Sequence, residues 1–174
     1  MTDPGAELVD VVDADGRVVD RVPRREMRAR RLPHRSVYVL VFDSHGRLFV
    51  HQRTATKDVF PSRWDMTIGG VLAAGEDFAT GAARELEEEL GVAAPLEALF
   101  DVRFPAERPQ VFGMTYRTRH DGPFRLQPEE IVRGEFMTAD ALDAALAREK
   151  FCPDGLAVFT TFRTRHPEAF PCTA

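Results

Sequence analysis

Residues 70–92 read GVLAAGEDFATGAARELEEELGV, and the reading of this stretch decides the reading of the rest. At about 100° per residue, a helix over residues 79–90 gathers Ala79, Ala82, Ala83, Leu86 and Leu90 on one arc, an apolar stripe suited to burial. Glu85, Glu88 and Glu89 fall on the neighbouring arc, because positions three and four apart share a helix face. Like charges at that spacing cost a helix roughly 0.2–0.5 kcal/mol per pair. A purely structural helix gains nothing from three such carboxylates. A divalent cation turns their repulsion into a ligand set, since magnesium and manganese favour carboxylate oxygens and keep positions for water and phosphate.

The chain of 174 residues is long enough for one domain with a sizeable core. Its composition, 44% hydrophobic and 29% charged, is that of an ordinary globular protein. The longest apolar runs, such as residues 37–42, are too short to cross a membrane. The opening MTDPGAELVD lacks the basic start and apolar stretch of a signal peptide, so the expectation is a cytoplasmic protein with no membrane partner. A net charge of -5 argues against general nucleic-acid binding. Cys152 and Cys172 have neither metal-ligand spacing nor further cysteines to pair with, and read as reduced thiols.

Residues 6–22 read as a hairpin, two apolar runs flanking the turn Asp13-Ala14-Asp15-Gly16. Arg21, Arg24, Arg25, Arg28, Arg30, Arg31 and Arg35 follow as a basic stretch. Lys57 and Lys150 are the only lysines. In so arginine-biased a chain the preferred reading of the stretch is a solvated connecting segment, with a steering patch for an anionic substrate as the alternative. The run SVYVLVF, residues 36–42, predicts a strand buried on both faces. Asp43-Ser44-His45-Gly46 turns the chain into a second strand, LFVHQR at 48–53. Two further strands are expected at 95–104 and 111–119, with loops marked by Pro105, Pro109, Gly122, Pro123 and Pro128. A short last strand at 135–137 leads to a helix over 139–148 capped by Thr138. Pro153 opens a final helix with Leu156, Phe159 and Phe162 on one side. Strands, helix, strands and two helices make an α/β chain with a mixed sheet.

The opening stretch resembles the Nudix box: Gly, five residues, Glu, seven residues, then Arg-Glu-apolar-x-Glu-Glu-x-Gly-apolar. Gly70, Glu76, Arg84, Glu85, Leu86, Glu88, Glu89, Gly91 and Val92 stand at its fixed positions. The resemblance implies a single Nudix domain over residues 1–174, an α/β/α sandwich preceded by an N-terminal β-hairpin, with residues 1–34 as hairpin and basic connection. It also implies hydrolysis of a diphosphate linkage in a nucleoside diphosphate joined to another group. By motif match, Glu85, Glu88, Glu89 and the Gly70 carbonyl would bind Mg²⁺ (or Mn²⁺), while Glu76 and Arg84 would brace loop against helix. Glu85 is the first choice for general base. Glu130, favoured over Glu129, is either a second base and further ligand or a solvated loop acid. Homodimers are common among relatives, which leaves that assembly open here.

A second resemblance, to type I isopentenyl-diphosphate isomerases, lies upstream in His34-Arg35, Val41-Phe42-Asp43, Gln52-Arg53-Thr54, Lys57, Phe60-Pro61 and Trp64. It places Arg53 and Lys57 on the substrate diphosphate, where an Arg fork and a Lys point charge are chemically apt; the alternatives are a strand-end surface Arg and an ordinary lysine. The isomerases need a catalytic Cys where this chain has Gly69 and a His ligand where it has Val71. Of their upstream histidines His34 matches one, while the other falls near Met27. They also break the box where Glu85 and Glu88 stand. A metal-dependent hydrolase is therefore the favoured reading, ahead of an isomerase, which Gly69 opposes, and a non-catalytic nucleotide or metabolite sensor. Phe60, Trp64, Phe104 and Phe112 could stack a base but read better as core.

Overall fold

The computed structural model describes residues 3–104 and 110–170. An antiparallel hairpin of β1 (Leu8–Val12) and β2 (Val18–Pro23) opens the chain. Asp13 closes its turn, its Oδ1 accepting from the N–H groups of Asp15 and Arg17 at 2.9 Å each, the local bonding for which Asp is favoured in turns. Helix α1 (Arg24–Ala29) follows, then β3 (His34–Phe42), β4 (Leu48–Arg53) and the two-residue β5 (Trp64–Asp65). The helix foreseen in the opening stretch is α2 (Phe78–Leu90). After it come β6 (Glu97–Phe104), β7 (Val111–Arg119), β8 (Ile131–Met137), α3 (Ala139–Leu146) and α4 (Pro153–Arg165).

Strand β3 is the axis of a mixed sheet. It runs parallel to β7 along its whole length and antiparallel to β1 and β4 at its two ends. Strand β6 extends the sheet beyond β7, and β5 and β8 both pair with β4. Side chains alternate across β3, as a strand's period of two requires. Val37, Val39 and Val41 join Leu86 and Leu90 under α2, while Leu40 and Phe42 join Leu142, Phe159 and Phe162 under α3 and α4. Both faces are thus covered, as expected of SVYVLVF, and the layers form the α/β/α sandwich. Each fully buried Leu or Phe contributes roughly 1.5–3 kcal/mol relative to exposure.

The structure departs from the sequence reading at several elements, among them β6, which begins at Glu97 rather than at 95. The basic segment contains α1, which the arginines disguised because Met27 is its only buried residue. Strand β8 begins four residues early, at Ile131; Gly134 lies against the Phe49 ring, where a Cβ would stand 2.2 Å from Cζ. Helix α3 stops at Leu146 rather than 148. Leu156 is on the exposed side of α4, whose inner face is Gly155, Val158, Phe159 and Phe162. The loop positions Pro105 and Pro109 and the thiol of Cys172 lie outside the described residues; Cys152 is buried with a free thiol.

Candidate active site

The chain from Ile68 to Leu72 runs antiparallel beside β3, exchanging hydrogen bonds Ile68 N–H to Val39 O and Val39 N–H to Ile68 O at 2.9 and 2.7 Å. Val37 N–H donates to the Gly70 carbonyl at 3.0 Å, leaving that oxygen a second lone pair. A Cβ at Gly70 would lie 2.6 Å from Glu85 Oε1, so only glycine lets that carboxylate press against the backbone. Gly69 has φ +150°, and a Cβ there would fall 2.1 Å from the Val37 carbonyl oxygen.

Helix α2 delivers the carboxylates. Asp77 caps it, Oδ1 accepting from Thr80 N–H at 2.9 Å, and it ends at the left-handed Gly91. Arg84 grips Glu76 with two hydrogen bonds of 2.8 and 2.9 Å, which hold the Glu76 carboxyl below its usual range despite partial burial. The free end of the same guanidinium reaches Glu85 at 2.9 Å and Glu88 at 3.1 Å. Glu85 and Glu89 are buried and Glu88 is half-exposed. Burial pushes the Glu85 carboxyl up, with Arg84 opposing. Burial pushes Glu89 well up, and the charges of Glu85 and Glu130 push the same way. As the side chains stand, no three acidic, His or Cys groups among the described residues converge on one cation position. Arg84 draws Glu85 and Glu88 aside and Lys57 forms an ion pair with Glu130. The donor set nonetheless fits a hard divalent ion: oxygens only, from the Gly70 carbonyl and three carboxylates, two of which are desolvated and repel each other.

These groups line a cleft of about 1320 Å³. The same cleft is lined by Arg53, Lys57 and Arg63 from β4 and the loop after it, and by Arg24, Arg28 and Arg31 from the basic stretch. The reading of that stretch as a solvated connection is therefore corrected: three of its arginines face the cleft. Their signal was the four-residue spacing of Arg24 and Arg28, one helix face. The other basic residues of the stretch are engaged elsewhere, Arg21 and Arg35 with Asp10, Arg25 with Asp3 and Arg30 with Glu26. Arg53 donates to the Val59 carbonyl at 3.1 Å and lies 3.7 Å from the buried Asp65, which the sequence reading passed over. His34 is buried, Nδ1 3.0 Å from the Leu32 oxygen, and burial with the nearby charges of Arg28 and Arg24 pushes its pKa down against the pull of the Leu32 contact. Of the aromatics considered, Phe60 and Phe104 line the cleft, whereas Trp64 lies buried beneath the Arg133 guanidinium and Phe112 beneath Arg103.

Asp10 on β1 ties the hairpin to the site. It is buried and accepts from Arg21 (2.9 Å), Arg35 (2.7 Å) and the Gly75 N–H (2.9 Å), which outweigh the effect of burial and hold its carboxyl below the usual range. Asp10→Asn should cost about 2–3 kcal/mol at neutral pH, since removing one member strands the other charge. A lowered folded pKa gives stability that is complete above the unfolded value and lost as pH falls through the folded one. Urea unfolding at pH 7 and pH 3 should therefore show a smaller difference between wild type and variant at pH 3.

A family model described as NUDIX domain matches residues 32–155. The chain is 39% identical over 163 residues to an uncharacterized Nudix hydrolase of Yersinia pestis, covering 93% of this chain and 88% of that one. It is 35% identical over 161 residues to the uncharacterized Nudix hydrolase YfcD of Escherichia coli, covering 92% and 88%. The crystal structure of DR0079 from Deinococcus radiodurans superposes with a TM-score of 0.77 at 28% identity, over 89% of this chain and 98% of that one. A NUDIX domain of Shewanella oneidensis NrtR, solved with ADP ribose, shares the fold at TM-score 0.60 and 19% identity. The match across most of the chain and the shared fold lead to one conclusion: this protein is a Nudix hydrolase.

Proposed function

We propose that this enzyme hydrolyses the diphosphate linkage of a small molecule in which a nucleoside diphosphate is joined to a further group, using Mg²⁺, with Mn²⁺ as a substitute. The observation that carries the reading is the burial of two mutually repelling carboxylates on one helix, Glu85, which lies against the side-chain-free Gly70, and Glu89. Glu85, Glu88, Glu89 and the Gly70 carbonyl would hold the cation, which supplies charge neutralisation for the diphosphate and acidifies the attacking water. Glu85, or Glu130 in its place, accepts the proton of that water. Arg53 and Lys57 receive the diphosphate, Lys57 leaving its pairing with Glu130 to do so. The Glu76–Arg84 bidentate pair keeps the loop before α2 at the height of the helix. Residues 1–174 act as one unit, of which the hairpin and α1 form a wall. The residues shared with the isomerases upstream of the box support a position near that branch of the family, with Gly69 favouring hydrolase over isomerase chemistry.

The test is release of phosphate or pyrophosphate, with and without Mg²⁺, across nucleotide conjugates including ADP ribose, alongside isopentenyl diphosphate. Metal-dependent release from at least one conjugate and no isomer of isopentenyl diphosphate are expected. No release from any conjugate, with ligand binding that ignores the metal, would support the sensor instead.

A further inference from the structure

We propose that Arg24 and Arg28 of α1 form a second anion-binding wall that holds a third phosphoryl group, so that the preferred substrate carries a phosphate beyond the diphosphate under attack. The proposal rests on the hydrolase reading of the same cleft and adds the substrate class. Both residues precede the region that the family match covers, which starts at residue 32. They are four apart on α1, and both line the cleft.

Arg24 is anchored where it bears on the reaction. Its Nη2 donates at 3.2 Å to the carbonyl of Val71, the neighbour of Gly70, and its positive charge is felt at Glu85. The Nε atoms of Arg24 and of Arg53, which lines the same cleft, are buried without a hydrogen-bond partner. Arg28 lines the same cleft as both: burial and the charges of Arg24 and Arg53 together push its guanidinium pKa down, with Glu130 opposing. Like charges brought this close repel, and an anion entering among them converts that repulsion into attraction. A diphosphate held by Arg53 and Lys57 does not call for two further guanidiniums. The acids that now offset them, Glu7 for Arg24 and Asp58 for Arg28, have side chains 38% and 54% exposed, so a substrate phosphate can replace them at little cost in burial. An Arg fork suits a phosphoryl group, which offers two or more oxygens in its plane.

Affinity for imidodiphosphate and imidotriphosphate, whose P–N–P bridges resist hydrolysis, can be measured by calorimetry in Mg²⁺ buffer. The wild type should prefer the triphosphate analogue about tenfold, a preference that Arg28→Gln reduces to less than about twofold while affinity for the diphosphate analogue changes little. Arg28→Lys should keep part of the preference. Asp58→Asn, which removes the competing carboxylate and leaves Arg28 in place, should tighten the triphosphate analogue about threefold or more. Equal affinities in the wild type, or a preference unmoved by Arg28→Gln and Asp58→Asn, overturn the proposal. These are binding results without turnover, so they fail separately from the hydrolase reading, which falls if no conjugate is cleaved.

Discussion

Glu89→Gln is expected to abolish Mg²⁺-dependent turnover, by about 10³-fold or more, with a folded protein left behind. Glu89 is the most deeply set of the three proposed ligand carboxylates on α2, and burial, Glu85 and Glu130 all oppose its charge. A group kept there against such opposition needs a cation to reward it, and glutamine keeps the shape but withdraws the charge. Two measurements together make the outcome decisive. Turnover should fall with near-native circular dichroism, and the rise in Tm that Mg²⁺ gives the wild type by mass action should vanish. Without metal, the variant should melt at or above the wild-type temperature, because an amide costs less to bury than a carboxylate. A Glu89→Gln enzyme that turns over normally with unchanged metal dependence refutes the ligand assignment.

Gly69→Cys should cost about 3–5 kcal/mol and yield no isomerase activity. The substitution restores the residue that the isomerase resemblance requires, so by sequence alone it looks like a route to that chemistry. The backbone forbids it. At φ +150° a side chain is strained, and the new Cβ would sit 2.1 Å from the Val37 carbonyl oxygen, which belongs to the central strand and cannot retreat without breaking its pairing with β7. The expected readouts are a fall in the urea midpoint with unchanged slope and no conversion of isopentenyl diphosphate. A variant of wild-type stability would show that residues 68–71 can shift away from β3.

The parts of this architecture that were legible share one property, that their signal is local. Both faces of β3 could be read from SVYVLVF because a two-sided apolar run has few other destinations. The carboxylate face of α2 followed from helical spacing. What escaped depends on partners distant in sequence. Lys57 and Glu130 were each considered for the site, but their ion pair joins residues 73 apart. Helix α1 has a single buried residue and no capping side chain, so neither periodicity nor a start signal announced it. Its arginines face the cleft because the hairpin before it folds back along β3 through one register pair, Val11 with His34. Asp65 was overlooked because its burial depends on α4 arriving across it, where even a Cβ at Gly155 would stand 2.1 Å from its Oδ1.

The hairpin bears on where this molecule can be cut. Val9, Val11, Val22 and Met27 form a small apolar cluster with Val71, a residue of the box loop itself. A boundary drawn at residue 32, where the family match begins, therefore runs through a core rather than between two. A protein trimmed there would lose four of that cluster's five buried members and the carboxylate that holds Arg35 and Gly75. The hairpin and the box loop therefore share one contact surface, and a protein lacking the first would leave Val71 uncovered and Arg35 and Gly75 without their carboxylate partner.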